Sequence, residues 1–188
     1  MVINGLVYAG QQYLPGQLLY YFALWPTASQ LPQGPPFEVW QLLTYGFLHG
    51  NPTHILFNMF GLWMFGRDIE RVLGAKQFAI YYLTCVAGAA VIQLIVAQVQ
   101  GGIYPTVGAS GGVFGLLLAY AMFFPDRTVM LLFPPIPMRA KYFVLFYGLM
   151  ELYLGVSGRS PGVANFAHLG GMLFGFGLLR YWRSQRSR

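Results

Sequence analysis

Four polar side chains with the types needed for nucleophilic chemistry lie in otherwise apolar stretches of this sequence. Ser110 stands in a Gly-Ala-Ser-Gly-Gly run, and His168 lies in a later apolar stretch. A serine hydroxyl is a weak nucleophile until a neighbouring base takes its proton, and a neutral imidazole suits that task at about pH 7. His54 and Asn58 are four residues apart, so on a helix they share one face. These two donors, with the backbone N–H of Ser110, would stabilise the negative charge that develops on a tetrahedral intermediate.

The composition of the chain indicates the surroundings of these residues. Of the 188 residues, 56% are hydrophobic and 9% are charged, whereas a soluble domain carries about 25% charged residues. We therefore expect an all-α, polytopic membrane protein in which residues 1–188 form a single domain. Apolar runs predict six transmembrane helices, at roughly residues 2–25, 52–66, 77–97, 109–124, 142–156 and 163–182. Four residues interrupt the first run: Gln11, Gln12, Pro15 and Gly16.

The basic residues indicate how this bundle is oriented. Ten of the eleven lie in three clusters, after the second, fourth and sixth predicted helices. The clusters are Arg67, Arg71 and Lys76; Arg127, Arg139 and Lys141; and Arg180, Arg183, Arg186 and Arg188. Because Lys and Arg concentrate in cytoplasmic connections, both termini are predicted to be cytoplasmic, and segment 26–51 is expected to be an ordered loop on the outer face. Positive charge placed in this way argues against nucleic acid as a partner and favours contact with the lipid bilayer.

The fourth and sixth predicted helices are expected to bring Ser110 and His168 together. Each helix carries two glycines four residues apart: Gly111 and Gly115 on the fourth, Gly171 and Gly175 on the sixth. Small residues at this spacing let helix backbones approach closely. From Ser110 to Phe124 the fourth helix would be about 22 Å long at about 1.5 Å per residue, which is shorter than a hydrocarbon core of about 30 Å. Ser110 would therefore lie below the outer membrane surface, where irregular backbone has to be buried in protein or line a wet cavity.

Three segments, in order along the chain, resemble the rhomboid intramembrane serine proteases. They are His49-Gly-Asn-Pro-Thr-His54-Ile-Leu-Phe-Asn58, Gly108-Ala-Ser110-Gly111 and Ala167-His168-Leu-Gly170-Gly171. The resemblance implies a six-transmembrane-helix, rhomboid-like bundle that hydrolyses peptide bonds in or near the transmembrane segments of protein substrates. It implies a Ser110–His168 catalytic dyad without a third acid, and an oxyanion hole made by His54, Asn58 and the Ser110 amide. Four residues would support this site: Gly108, Gly111, Phe114 and Gly171.

Two positions depart from the pattern of this family, and two polar residues are left with open roles. The Trp-Arg pair of the family's outer loop is Trp40-Gln41 here, which puts Arg-dependent loop contacts in doubt. Phe114 stands where many members have a tyrosine beneath the histidine, so a ring stack is kept and a hydroxyl is lost. His49 is expected at the outer interface, with a structural role favoured. Glu151, in the fifth predicted helix, is expected to pair with a polar neighbour or to be held neutral, with a proton relay as a third reading.

Two other classes of function fit parts of the sequence. The first is a catalytically inactive rhomboid-like protein that binds membrane clients, although such relatives typically lack the serine or the histidine that this chain keeps. The second is a small transporter or channel, which predicts an ionisable pathway or repeat symmetry that the sequence does not have. No cofactor is implied, and without a His-Glu-x-x-His motif or a cysteine or carboxylate cluster no metal site is predicted. The short loops resemble bacterial inner-membrane members of the family, with the site open to the outer face.

Overall fold

The structure of the protein, a computed structural model, describes residues 1–27, 35–102, 104–130, 135–159 and 164–186. Within these ranges the chain forms eight α-helices: α1 (Val2–Tyr13), α2 (Pro15–Phe22), α3 (Gln41–Thr44), α4 (Pro52–Leu73), α5 (Ala75–Gln100), α6 (Ser110–Phe123), α7 (Ala140–Ser157) and α8 (Asn165–Arg186). A 3-10 helix, Tyr45–Phe47, follows α3. Three predicted features lie outside the described residues: part of the outer loop (28–34), the start of the sixth helix (163) and Arg188 of the last basic cluster. The chain is mostly helical, as its apolar runs predict.

The first predicted helix is divided in two at Leu14. Pro15 opens α2 at the position where its missing N–H has no partner to lose. The helix ends at Phe22 rather than at residue 25. Gln11, one of the polar residues that interrupt the apolar run, is buried and holds the backbone of His49 through two hydrogen bonds of 2.9 and 3.1 Å. The interruption in the sequence therefore marks an anchor between α1 and the segment before α4.

Helix α4 has a well-defined start and end. The Asn51 side chain caps its first turn by accepting the N–H of His54 at 2.8 Å. Gly74, with a φ of 78°, ends it in a backbone conformation that favours glycine. The helix runs on to Leu73, past the predicted end at residue 66. In this last part Arg67, Glu70 and Arg71 lie at the surface, while Ile69 is buried in the core. There Asp68 bonds to Arg71 at 3.0 Å and to Arg127 at 2.6 Å.

Helix α6 lies at the centre of the bundle and packs against α4, α5 and α8. Most of its length is buried, including Leu116, Ala119 and Tyr120. Helix α7 lies at the edge and contributes Phe143 and Val144 to the same core. Its opposite face exposes a row of large apolar side chains: Tyr142, Leu145, Phe146, Leu149, Leu152, Tyr153 and Val156.

A short β-hairpin joins α6 to α7, where the sequence predicts only a connection. Strands β1 (Thr128–Met130) and β2 (Pro137–Arg139) pair in antiparallel register. Asp126, just before β1, accepts a hydrogen bond from Lys141 at 2.7 Å and lies 3.3 Å from Arg139. The hydrogen bond from Lys141, with the charges of both cations, holds the pKa of Asp126 below its usual range. Three-residue strands are too short to give a period in the sequence.

One helix in the described ranges, α5, is both long enough and apolar enough to cross a membrane by itself. Helix α6 is also strongly apolar but has 14 residues. At about 1.5 Å per residue such a helix falls short of a bilayer core of about 30 Å.

Glycines bring the backbones of α6 and α8 into contact. A Cβ added to Gly171 would overlap the backbone carbonyl of Gly111, and one added to Gly115 would meet the side chain of Cys85 on α5. Backbone atoms cannot move aside as a flexible side chain can. The glycine spacing on the two helices therefore brings their faces together as predicted.

The variant Gly171→Ala is expected to lower the free energy of unfolding by about 1–3 kcal/mol, because the added methyl group overpacks a backbone contact. The measurement is an equilibrium unfolding titration in mixed micelles. Gly177→Ala is the matched control, since at this position of the same helix the added methyl would meet no described atom within 4 Å beyond its chain neighbours and the local helix backbone. Equal stability of the two variants would contradict the expected cost.

Candidate active site

Ser110 and His168 face each other across the contact between α6 and α8. Ser110 is the first residue of α6, and His168 lies in the first turn of α8. Nε2 of His168 is 2.8 Å from Oγ of Ser110. His168 is 9% exposed, and Ser110 is half-buried. The hydroxyl can therefore donate to the imidazole, which is the arrangement that general-base activation of a serine requires.

The ring of Phe114 supports the imidazole from below. It lies four residues after Ser110, on the same face of α6. Its ring centroid is 4.3 Å from that of His168, and the two planes differ by 5°. Phe114 also makes an edge contact with Tyr147 of α7, with the two ring centroids 6.4 Å apart. The ring stack expected at this position is thus present, with a phenyl group instead of a phenol.

The segment before Ser110 is irregular, yet its backbone is paired with protein. Leu24 and Thr106 exchange two backbone hydrogen bonds of 2.9 and 3.0 Å. The N–H of Gly108 donates to the carbonyl of Tyr45 at 2.9 Å. These bonds satisfy backbone groups that would otherwise be costly to bury, and they fix the direction from which the chain enters α6.

His54 presents a ring nitrogen to the same space as the serine hydroxyl. The N–H of Gly50 donates to Nδ1 of His54 at 3.3 Å, so the neutral ring carries its proton on Nε2. Gly108, with a φ of 126°, brings its backbone against this ring, since a Cβ there would lie 2.7 Å from Nε2. The same Cβ would lie 3.8 Å from Oγ of Ser110. The His54 N–H and the serine oxygen therefore border one small volume beside Gly108.

Asn58 lies one turn after His54 and is 5% exposed. Its side-chain amide donates to the carbonyl of His54 at 2.9 Å, which leaves the second N–H of the amide for another acceptor. The backbone N–H of Ser110 belongs to the first turn of α6, where amides have no partner within the helix. The three residues that carry these donor groups, His54, Asn58 and Ser110, line one cavity.

A cavity of about 480 Å³ opens beside these groups. Seven of the predicted site residues line it: His54, Asn58, Gly108, Ser110, Gly111, Phe114 and His168. Aromatic and small side chains complete the wall, among them Tyr45, Phe57 and Tyr104. Such a volume is typical of ligand sites and accommodates a short stretch of extended peptide. Within the described ranges no three His, Cys, Asp or Glu side chains come close enough together to hold a metal ion.

His49 supports the ring of His54. It is 1% exposed, and the two ring centroids are 5.2 Å apart in an edge contact. Neither ring nitrogen of His49 has a hydrogen-bond partner among the residues that the structure describes. Burial, and secondarily the nearby His54, lowers the pKa of His49 to about 4. The imidazole is therefore neutral at about pH 7, in keeping with the structural role that the sequence favours.

Gln41, which stands in place of the family's arginine, makes loop contacts of its own. The side chain is almost fully buried, with 1% of the residue exposed. Its oxygen accepts the N–H of Trp25 at 3.1 Å, and its nitrogen donates to the carbonyl of Pro36 at 3.2 Å. The neighbouring Trp40 donates from its indole to the carbonyl of Tyr21 at 3.0 Å. A neutral amide thus ties the outer segment to the end of α2.

Glu151 is a residue of the site that sequence reasoning did not assign. It lies on α7 and accepts a hydrogen bond from the side chain of Asn165 at 2.7 Å. Its Oε2 is also 3.0 Å from Nδ1 of His168. This is an ion-pair distance, although the ring N–H is not aligned well enough on the oxygen for a hydrogen bond. Of the roles left open for Glu151, pairing with polar neighbours agrees with the structure. The acid also lies beside His168, for which the resemblance implies no acidic partner.

This mostly helical chain, with a serine and a histidine in contact beside a cavity, matches a known protein family. The Rhomboid domain family matches residues 36–185. The chain belongs to the rhomboid family, and membership makes it an integral membrane protein.

Several curated relatives carry protease names. The chain is 33% identical to Rhomboid protease GluP of Bacillus subtilis over 153 residues, which cover 79% of this chain and 26% of that protein. It is 28% identical to Rhomboid protease GlpG of Photorhabdus laumondii over 188 residues, which cover 100% of this chain and 61% of that protein. It is 33% identical to RHOMBOID-like protein 4 of Arabidopsis thaliana over 140 residues, 74% of this chain and 33% of that protein. The chain therefore spans between about a quarter and three fifths of the length of these relatives.

The lowered pKa of His49 predicts how stability depends on pH. Between about 6.5 and about 4 the unfolded chain binds a proton at this residue and the folded chain does not. Stability is therefore lost as the pH falls through this window, by at most about 1.4 kcal/mol per pH unit. Unfolding titrations at pH 7 and pH 4.5 should show a smaller loss for His49→Leu than for the native chain. Equal losses would mean that His49 is not the group responsible.

Proposed function

We propose that this chain is an intramembrane serine protease that hydrolyses peptide bonds in or near the transmembrane segments of other proteins. The observation that carries the proposal is the 2.8 Å contact between Oγ of Ser110 and Nε2 of His168, beside a cavity. The stacked ring of Phe114 supports it by holding the imidazole in one plane. The protease names of several relatives point to the same class of reaction.

In the proposed mechanism Ser110 and His168 act as nucleophile and base. Oγ of Ser110 forms a bond to the carbonyl carbon of the scissile peptide, while the hydroxyl proton passes to Nε2 of His168. The carbon–nitrogen bond then breaks, and the same proton passes from Nε2 to the leaving amine. Water, activated by the same imidazole, next releases the acyl group from the serine.

The oxyanion of the intermediate is stabilised by the three donors around the serine. They are the Nε2–H of His54, the free amide N–H of Asn58 and the backbone N–H of Ser110. Gly108 leaves room for the oxyanion because any Cβ there would fill the space between His54 and the serine. Preorganised donors of this kind typically contribute about 10²–10³-fold to the rate for each group.

The proposed arrangement in the membrane is a bundle of six transmembrane helices with both termini in the cytoplasm. The grouping of ten of the eleven basic residues after the second, fourth and sixth apolar runs supports it. The ion pairs of Asp126 with Arg139 and Lys141 then lie on the cytoplasmic side, and the cavity opens to the outer face. The bacterial inner membrane is the proposed location.

The substrates are proposed to be membrane proteins whose helices unwind easily near the outer face. The carbonyl groups of a regular helix are occupied by hydrogen bonds and shielded by side chains. Glycine, which weakens a helix by about 1 kcal/mol relative to alanine, lowers the cost of exposing the scissile bond. A helix that holds its backbone bonds throughout the bilayer would resist cleavage.

The second candidate is a rhomboid-like protein that binds membrane clients without cutting them. The exposed apolar face of α7, which includes Leu149, Leu152 and Val156, offers a surface for a client helix. This reading does not explain why a hydroxyl and an imidazole are held in hydrogen-bond contact at the wall of a cavity. It is therefore the alternative that the cleavage experiment has to separate.

Cleavage of a reconstituted single-span substrate with a Gly/Ala-rich outer segment tests the proposal. The native chain should cut near the outer membrane boundary, and Ser110→Ala and His168→Ala should each lower the rate by at least about 10³-fold. Ser157→Ala is the control, because that hydroxyl bonds to the carbonyl of Leu154 at the end of α7. Cutting that survives Ser110→Ala would disprove the nucleophile. Binding of the substrate by folded native protein without any cutting would favour the client-binding reading.

A further inference from the structure

Glu151 is an acid within the apolar helix α7, and its carboxylate is turned toward the site. The side chains of Glu151 and His168 are each 11% exposed. Oε2 of Glu151 is 3.0 Å from Nδ1 of His168 and accepts the Asn165 amide at 2.7 Å. A carboxylate with so little access to water is costly to keep unless it is paired. The carboxylate therefore has its partners in the site and not in solvent.

We infer that Glu151 is a positioning residue for His168, so that the site works as a Ser110–His168–Glu151 triad. This inference rests on the proposed protease function and adds an acid to its serine and histidine. It assigns Glu151 two effects, one on the ground state of the imidazole and one on the charge that forms during the reaction.

In the ground state Glu151 selects the productive form of the neutral ring. A neutral imidazole carries one proton, on either Nδ1 or Nε2, and the other nitrogen is an acceptor. The carboxylate oxygen beside Nδ1 is an acceptor and favours the proton at Nδ1. Nε2 is then left with its lone pair toward the Ser110 hydroxyl, 2.8 Å away. The opposite tautomer would place the Nε2–H against the serine oxygen, and Nε2 could then not act as a base.

During the reaction the carboxylate stabilises charge. When the Ser110 proton moves to Nε2, the ring becomes an imidazolium with N–H groups at both nitrogens. The negative charge of Glu151 attracts this cation, and the attraction is stronger at a site that excludes water than in bulk solvent. No proton passes to Glu151, and the Nδ1 proton stays on the ring. Because the imidazolium is absent before the reaction, the interaction lowers the barrier without tightening substrate binding.

Two features of the geometry agree with this role. Asn165 lies in the first turn of α8 with His168, and it holds Oε2 in place from the same helix. The imperfect alignment of the Nδ1–H with Oε2 is the geometry of a site without substrate, where catalytic hydrogen bonds are often poorly aligned and tighten only in the complex. A purely structural role, in which Glu151 only joins α7 to α8 through Asn165, makes a different prediction.

The test compares the native chain with Glu151→Gln, Glu151→Asp and the control Glu38→Gln in proteoliposomes. Two readouts are used: cleavage of the single-span substrate, and the rate at which a fluorophosphonate probe labels Ser110. Gln keeps the shape and an acceptor for Asn165 but removes the charge. We expect kcat and the labelling rate constant to fall by about 10–100-fold, with KM within about twofold and the final extent of labelling unchanged. Glu151→Asp should retain an intermediate rate, and Glu38→Gln, which removes an acid from the segment before α3, should match the native chain.

Glu151→Gln with native kcat and native labelling rate would overturn the inference. So would a loss that appears only as a lower final extent of labelling and a lower unfolding midpoint, since that pattern describes a structural residue. Failure of the proposed function is distinguishable from either result. Native protein that labels at Ser110 faster than Glu151→Gln, yet cuts no substrate, would leave the triad in place and remove the protease.

Discussion

The close contact of α6 with α8 is the constraint on which the site depends. The backbone of Gly171 lies directly against the carbonyl of Gly111, and this contact fixes both the separation and the relative height of the two helices. Ser110 precedes one of these glycines by one residue, and His168 precedes the other by three. The hydroxyl of Ser110 and the imidazole of His168 are in contact because the backbones of α6 and α8 are in contact. A bulkier residue at the contact would separate them, since packed interiors do not deform continuously.

At the outer end of the bundle, buried side-chain amides make the hydrogen bonds that water would otherwise make with the backbone. The chain there is irregular on both sides of the cavity, and its backbone groups need partners. Asn4 and Gln11 of α1 reach the carbonyls of Gly46 and His49, and Gln41 fulfils the same need beside α2. Neutral amides offer donors and acceptors together without the cost of burying a charge. The broken first helix is therefore part of the support of the site.

The sequence points to candidate residues for the site more directly than to the contacts of the segments around them. Ser110 and His168 stand out because polar residues in apolar runs are costly, and the glycine spacing indicates which helices meet. The two short strands after α6 are not predictable, because three residues are too few to show an alternation of apolar and polar side chains. The contacts of Gln41 depend on where distant segments fold back, which spacing along the chain does not report. The same limit applies to Glu151, whose partners lie on another helix.

Glu151 also shows why a charge in an apolar helix is informative about mechanism. If the acid served stability alone, an apolar side chain of similar volume would do as well, because buried ion pairs often contribute little once desolvation is counted. In the proposed mechanism, moreover, its partner His168 gains a positive charge when it takes the proton of Ser110. The attraction is therefore weakest in the resting protein and strongest at the moment when charge develops. An interaction of that kind contributes little to folding and much to a rate, which is the difference between a structural residue and a positioning one.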